Sequence, residues 1–418
     1  MKNTPKIRFK DYTDEWETRK LGEISEKVTE KNNDYEYTET LTNSAEFGII
    51  SQRDFFEKDI SNPEKTDGYY IVREEDFVYN PRISTFAPVG PINRNKLGKT
   101  GIMSPLYTVF RTSNINRQYL EYYFKSTKWH NFMYINGDTG ARADRFAIKN
   151  SVFMELPIPY PKNEEQQRIG DFLNNIDNLV SFYQQECEQL KTFKKMMLKK
   201  MFPQEGCGKP EFRFDGFTDD WEQRKLNEIV NVLDGDRGNN YPNGNEFQEK
   251  GHTLFLSASN VTTNGFVFDD TQYITEEKSN SMGNGKLLLD DIVLTSRGSI
   301  GHIAWYNKAI QQQVPFARIN SGMLILRSKD FIMPCFIAQF LKSPLGKKQI
   351  ELISFGSAQP QLTKKDVSNY VVSIPSDINE QIKLGVFFDN LDNLITLHHR
   401  KCDKLVEVKK YMLKNMFI

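Results

Sequence analysis

The chain has 418 residues, 38% hydrophobic and 12% aromatic, enough to bury a core and to divide into two or three domains, so a disordered polymer is excluded. Its 55 Lys and Arg balance 55 Asp and Glu, so no bulk charge draws it to nucleic acid, an anionic membrane or an acidic substrate, and any such partner must be met locally. A mean hydropathy of -0.59, no apolar run near the roughly 18 residues of a membrane span and a polar start point to a cytoplasmic protein, neither secreted nor inserted.

In chain order, the first recognisable segment is Pro5 to Ile24, which returns as Pro210 to Ile229 at an offset of 205 with 12 of 20 positions identical. The chain is therefore two tandem copies. Within the first copy, the apolar strand around Asp76-Phe77-Val78 leads into a loop with Arg82 and Ser84, where an exposed arginine fork can donate to O6 and N7 of a guanine. A second loop, Gly140 to Lys149, holds Arg142 and Arg145 for bases and Lys149 for phosphate.

Prolines 157, 159 and 161 then stop the strand, and a heptad begins. Ile169, Ile176, Tyr183, Leu190 and Met197 form one line, and Phe172, Leu179, Glu186 and Phe193 the other. This predicts a long coiled-coil helix over residues 163–203, about 60 Å long at roughly 1.5 Å per residue. Cys187 falls inside it. Cys207, Cys335 and Cys402 are scattered, with no CxxC, and all four read as reduced thiols without a disulfide framework or zinc site.

The second copy repeats the plan. Asp291 to Gly301 places Arg297 and Ser299 after a strand, and Gly356 to Leu362 carries Gln359 and Gln361 with Lys364 and Lys365 behind them. Arginines in one copy and glutamines in the other suit guanine-leaning and adenine-leaning readout. A second heptad over residues 377–418 aligns Leu384, Leu391, His398, Leu405 and Met412 beside Phe387, Leu394, Lys401 and Val408. With only residues 203–209 between the first helix and the second copy, the two helices should pair antiparallel, with a domain at each end. Glu186 and Lys401, opposite charges at equivalent mid-seam positions, are candidates for fixing register.

Charge is polarised within each copy. Residues 1–76 carry 12 basic and 19 acidic side chains, whereas 77–162 carry 12 and 4; residues 206–291 carry 8 and 16, whereas 292–375 carry 10 and 3. A basic region interleaved with aromatic and amide side chains is what a phosphate-binding, base-reading surface needs, although mutual neutralisation of the two halves would give the same counts. Chemistry of its own is missing. Gly283 to Leu287 lacks the spacing and hydroxyl of a P-loop, Tyr79-Asn80-Pro81-Arg82 breaks the tetrapeptide an adenine methyltransferase requires, and the five histidines have no ligand spacing. The acids Asp269, Asp270, Glu276 and Glu277 offer only a chance-level nuclease cluster, so no catalytic or metal-ligating residue is expected.

The duplicated openings Thr13 to Leu21 and Thr218 to Leu226, the string D-I-V-L-T-S-R-G-S-I-G at Asp291 to Gly301, G-S-A-Q-P-Q-L at Gly356 to Leu362 and the helix starts Glu165-Gln166 and Glu380-Gln381 together resemble the DNA specificity subunit of Type I restriction-modification systems. The likeness spans the whole chain, with copy one departing from the loop pattern at Asn80 to Thr85 and Ala141 to Arg145. The resemblance implies an α+β fold of two mixed α/β target recognition domains, residues 1–162 and 204–376, separated by two long antiparallel coiled-coil helices, with an internal pseudo-two-fold. Each domain would read half of a bipartite, asymmetric duplex site. The helices would set the gap and dock two methyltransferase subunits, with two motor-endonuclease subunits in the full complex. S-adenosylmethionine, ATP and magnesium would belong to those partners. Without the resemblance, the residues also admit a duplicated coiled-coil adaptor that never touches DNA.

Overall fold

A computed structural model describes residues 4–56, 66–139, 144–354 and 361–418. It resolves into two compact units, residues 1–182 with 401–418, and residues 183–400. Each is built on the same four-stranded antiparallel sheet. In the first the strand order is Ser25–Lys27, Thr108–Thr112, Phe77–Tyr79, Ile92–Arg94; in the second it is Val230–Asp234, Met323–Ser328, Ile292–Thr295, Ile303–Trp305. A two-stranded ribbon accompanies each sheet, Glu17–Lys20 with Pro157–Tyr160 and Glu222–Lys225 with Val371–Ile374. The copies differ in what they add. The first has the hairpin Leu41–Ser44 with Gly48–Ser51, while the second has a three-stranded sheet in which Thr253–Leu256 runs parallel to Ala317–Ile319.

The repeated sequence elements become repeated contacts. Arg8 makes a two-pronged pair with Glu165, at 2.6 and 2.8 Å, and Arg213 does the same with Glu380, at 2.7 and 2.8 Å. Both carboxylates are 1% exposed. The neighbouring Gln166 accepts from the Asn116 N–H and donates to the Pro161 carbonyl, and Gln381 likewise accepts from Met333 and donates to Pro375. These contacts tie the opening segment, the central helix (Arg117–Lys125 or Pro334–Lys342) and the strand end of each unit to one helix start. Gly385 lies where a Cβ would be 2.2 Å from Cys335 Sγ, so only glycine lets the second long helix approach the helix Pro334–Lys342 this closely.

The long helices span Asn163–Lys200 and Ile378–Asn415. Acidic residues open each and lysines close it, complementing the helix dipole. In the second unit they run antiparallel: Tyr183 meets His398, Cys187 the Ile395 carbonyl, and Phe193 the ring of Phe387. Charged register pairs lie at Lys194–Asp392, 2.5 Å apart, and, in the first unit, at the equivalent Lys409–Asp177. The mid-seam positions expected to fix register look different, because Glu186 is half-buried and Lys401 exposed. Met416 and Phe417 close the core of the first unit against Tyr119 and Tyr123, as Met201 and Phe202 close the second against Phe336 and Phe340.

The residues expected along the seam differ in burial. Ile169, Ile176, Leu384 and Leu391 are buried, and Phe172, Leu190, Phe387, Leu405 and Val408 pack against the cores. Leu179 and Leu394 are instead 45% and 43% exposed, and Phe193 is 40% exposed. The buried places go instead to Leu173, Cys187, Phe388 and Ile395, each one residue after the expected second line, so the seven-residue repeat is kept with a one-residue shift.

Part of the basic charge is consumed internally. Arg111 and Arg327 pair two-pronged with the buried Asp76 and Asp291, and Arg94 bridges Glu75 and Glu121. Arg318 is buried and donates to the Ser279, Gly283 and Asn284 carbonyls. Burial alone would raise Glu121, but Lys125 and Lys96 hold it at about 2.

Two outcomes follow. Glu380→Ala, which strands a buried guanidinium, should cost about 3–5 kcal/mol of stability, read as a lower denaturant midpoint, with Arg213→Met plus Glu380→Leu recovering much of it. Because Glu121 is held below its ordinary value, its contribution is complete above about pH 4.5 and is lost as pH falls toward about 2. Glu121→Gln should flatten that limb of a stability-versus-pH curve.

Candidate nucleic-acid interface

In the first unit the loop after strand Phe77–Tyr79 and the chain around Arg145 are joined by backbone pairing. The Phe146 N–H donates to the Pro81 carbonyl at 2.7 Å and Ile83 N–H to Asp144 at 3.1 Å, which sets Arg82 and Arg145 opposite each other. Both arginines are exposed, as are Ser84 and Lys149. Arg82 and Arg145 flank a cleft of about 280 Å³ that Asn80, Gln52 and Tyr107 also line. Arg142 lies outside the described residues.

The polar floor of this loop is a network the sequence did not single out. The buried Asn43 donates to the Val78 carbonyl and accepts from Asn93, while Asn80 donates to the Asn43 carbonyl and accepts from the Arg82 N–H. Beyond it, Ser84 and Ala87 exchange backbone bonds of 3.1 Å, closing a tight turn that leaves Phe86 78% exposed. Gly90, at φ +84, sits where a Cβ would come within 2.1 Å of the Asn80 carbonyl oxygen.

The second unit uses the same joint. Leu362 N–H donates to the Ser296 carbonyl at 3.0 Å, which fastens the chain before Lys364 to the Arg297 loop. Ser296 and Arg297 N–H both donate to the Gly322 carbonyl, and the Thr295 hydroxyl is held by the Ser299 carbonyl. Arg297 and Ser299 are exposed at the tip. Arg237, also missed by sequence reasoning, donates to the Ser321 carbonyl beside this loop. Gln361 is half-buried, and Lys364 and Lys365 are exposed on the short helix Lys364–Ser368, capped by Thr363 and Asp366. Gln359 lies outside the described residues. Each unit thus joins two chain segments at equivalent backbone positions, and among the described residues no carboxylate pairs with Arg82, Arg145 or Arg297.

Residues 13–192 and again 218–407 match the Type I restriction modification DNA specificity domain. The chain belongs to that family. It is a DNA specificity chain with two recognition domains. Over 324 residues it is 26% identical to the Type I restriction enzyme MjaVIII specificity subunit of Methanocaldococcus jannaschii, covering 76% of this chain and 73% of that one. A putative MjaX specificity subunit of the same organism is 22% identical over 309 residues, covering 72% and 67%. Among solved structures, the S subunit of a Type I restriction-modification system from M. genitalium shares the fold, with a TM-score of 0.64 at 17% identity over 99% of both chains. A chain from a structural study of complex assembly in the type I R-M system gives 0.52 at 14%, covering 96% and 97%. Among the described residues no helix is long and apolar enough to cross a membrane.

In this specificity chain the loop geometry rests on Gly90 as much as on the arginines. Gly90→Ala should distort the Asn80–Arg82 turn, costing at least about 1–2 kcal/mol from the left-handed backbone alone. A lowered melting temperature together with weakened DNA binding would check it, and an unchanged melting temperature would refute the strain.

Proposed function

We propose that this chain is the non-catalytic, DNA-reading subunit of a Type I restriction-modification complex in the cytoplasm, each unit reading one half of a bipartite, asymmetric duplex site. The observation that carries the reading is the repeated joint: the same backbone bond, Phe146 to Pro81 and Leu362 to Ser296, fastens loops whose side chains differ. A shared scaffold with different donors is what two different half-sites require.

The long helices dock two methyltransferase subunits in this reading. Support comes from exposed apolar residues that recur at an offset of 215: Leu179, Phe182 and Tyr411 in the first unit, and Leu394, Leu397 and Met196 in the second. Identical partners need identical surfaces, and soluble domains seldom leave such residues exposed together without a partner. Helix length, through its fixed rise of about 1.5 Å per residue, sets the gap between half-sites. Two motor-endonuclease subunits complete the assembly, and S-adenosylmethionine, ATP and magnesium bind to the partners, whose motifs this sequence lacks.

Arg297→Ala tests the reading in cells that express the complete complex. Sequencing of methylated adenines should show one position of one half-site relaxed, by about 1–3 kcal/mol of lost discrimination, with the other half-site and the gap unchanged. A complex that binds duplex without salt dependence or sequence preference would instead identify an adaptor.

A further inference from the structure

The second unit contains a cavity of about 670 Å³ that the recognition loops do not use. Six of its lining residues are lysines, Lys191, Lys194, Lys195, Lys342, Lys347 and Lys348, against two carboxylates, Asp392 and Glu351. The lysines come from the first long helix and from the helices Pro334–Lys342 and Pro344–Ser354, and the positive end of the latter opens on the cavity through Pro344 and Lys347.

Asp392 is shared by Lys194 and Lys342, at 2.5 and 3.4 Å. Burial, reinforced by Lys342, pushes the Lys194 ammonium down to about 8. Lys191 and Lys348 pair with Glu188 and Glu205, whose side chains are 72% and 73% exposed, so these are surface pairs that water and salt weaken. Lys195 and Lys347 are exposed.

Two features identify the anion. First, the cavity wall of Ile300, Gly301 and His302 is the return limb of the Arg297–Ser299 loop, and the exposed Thr263 and Asn264 add a hydroxyl and an amide. Lysines with hydroxyl and amide donors beside a base-reading loop are the composition of a backbone-phosphate contact. Second, the charge is only partly duplicated. Lys194, Lys195 and Lys342 have counterparts in Lys409, Lys410 and Lys125, but Val406 stands where the second unit has Lys191, and the helix His130–Asn136 has no lysine to match Lys347 and Lys348. A surface for two identical protein partners would recur in both units, whereas an asymmetric DNA ligand has no such requirement.

We propose that the lysine cavity of the second unit, formed around Lys191, Lys195, Lys347 and Lys348, grips the phosphodiester backbone of the duplex next to the bases read by the Arg297 loop. This contact adds affinity without sequence information and makes the second half-site the more strongly anchored of the two. It rests on the DNA-reading function proposed above.

The test uses the complex with its methyltransferase subunits, the target duplex and a scrambled duplex, titrated by fluorescence anisotropy over a series of salt concentrations. Lys195→Gln with Lys347→Gln should weaken both duplexes by the same factor and reduce the slope of log affinity against log salt by about 1 per lysine, leaving the methylated sequence unchanged. Lys195→Arg with Lys347→Arg should restore the slope, and matching melting temperatures for both pairs establish that the fold is intact. Parental affinity and slope in the Gln variant would overturn the phosphate contact, as would loss of methyltransferase subunits on size exclusion, which would assign the lysines to an acidic protein surface. Failure of the parental complex to prefer its target would instead overturn the DNA-reading function itself.

Discussion

The largely buried pair of an opening-segment arginine with a first-turn glutamate of a long helix, Arg8 with Glu165 and Arg213 with Glu380, is the contact on which the rest of each unit depends. An ion pair removed from water is a poor source of net stability, but leaving either partner alone is costly, so the contact acts as a constraint on geometry. It fixes where the helix starts relative to the strand ribbon, and the adjoining glutamine then bonds the central helix and the strand end. Everything further along, from the sheet to the recognition loops, is referred to this corner.

From that corner the chain divides its labour between frame and loops. The frame recurs with its chemistry intact: Asp76 with Arg111 and Asp291 with Arg327 lock the two central strands of each sheet together, while Asp177 with Lys409 and Asp392 with Lys194 hold the helices in register. The loops share only their backbone joints. A backbone hydrogen bond is indifferent to side chain, so the joint at Pro81 survives replacement of every tip residue by the set found near Ser296. This is how a fold can hold a reading position constant while what is read changes.

Electrostatics follows the same division. The net-neutral chain concentrates cations in the later part of each copy, but Arg94, Arg111, Arg318 and Arg327 serve the interior. Among the described residues, the exposed Arg82, Arg145, Lys149, Arg297, Lys364 and Lys365 and the lysine cavity of the second unit stay open to a polyanion. The counts alone overstate the basic surface, because a count cannot distinguish a guanidinium that closes a buried pair from one that faces water.

The amino-acid sequence by itself determined the duplication, the long helices, the place of the divergent loops and the family, because these depend on local periodicity and on identities that recur at fixed offsets. It placed Arg82, Arg145 and Arg297 on exposed loops, since a strand followed by small or glycine residues turns at the surface. Only the tertiary structure decided which cations are spent on Asp76 and Asp291, that Asn43 floors the Arg82 loop, and that Lys191, Lys195 and Lys347 converge across more than a hundred residues of chain. It also moved Leu179 and Leu394 out of the seam, because packing buries the line one residue later, that of Leu173, Cys187, Phe388 and Ile395, and periodicity alone does not choose between adjacent lines. Partners in space that lie far apart in sequence leave no periodic trace, and those are the contacts that folding alone reveals.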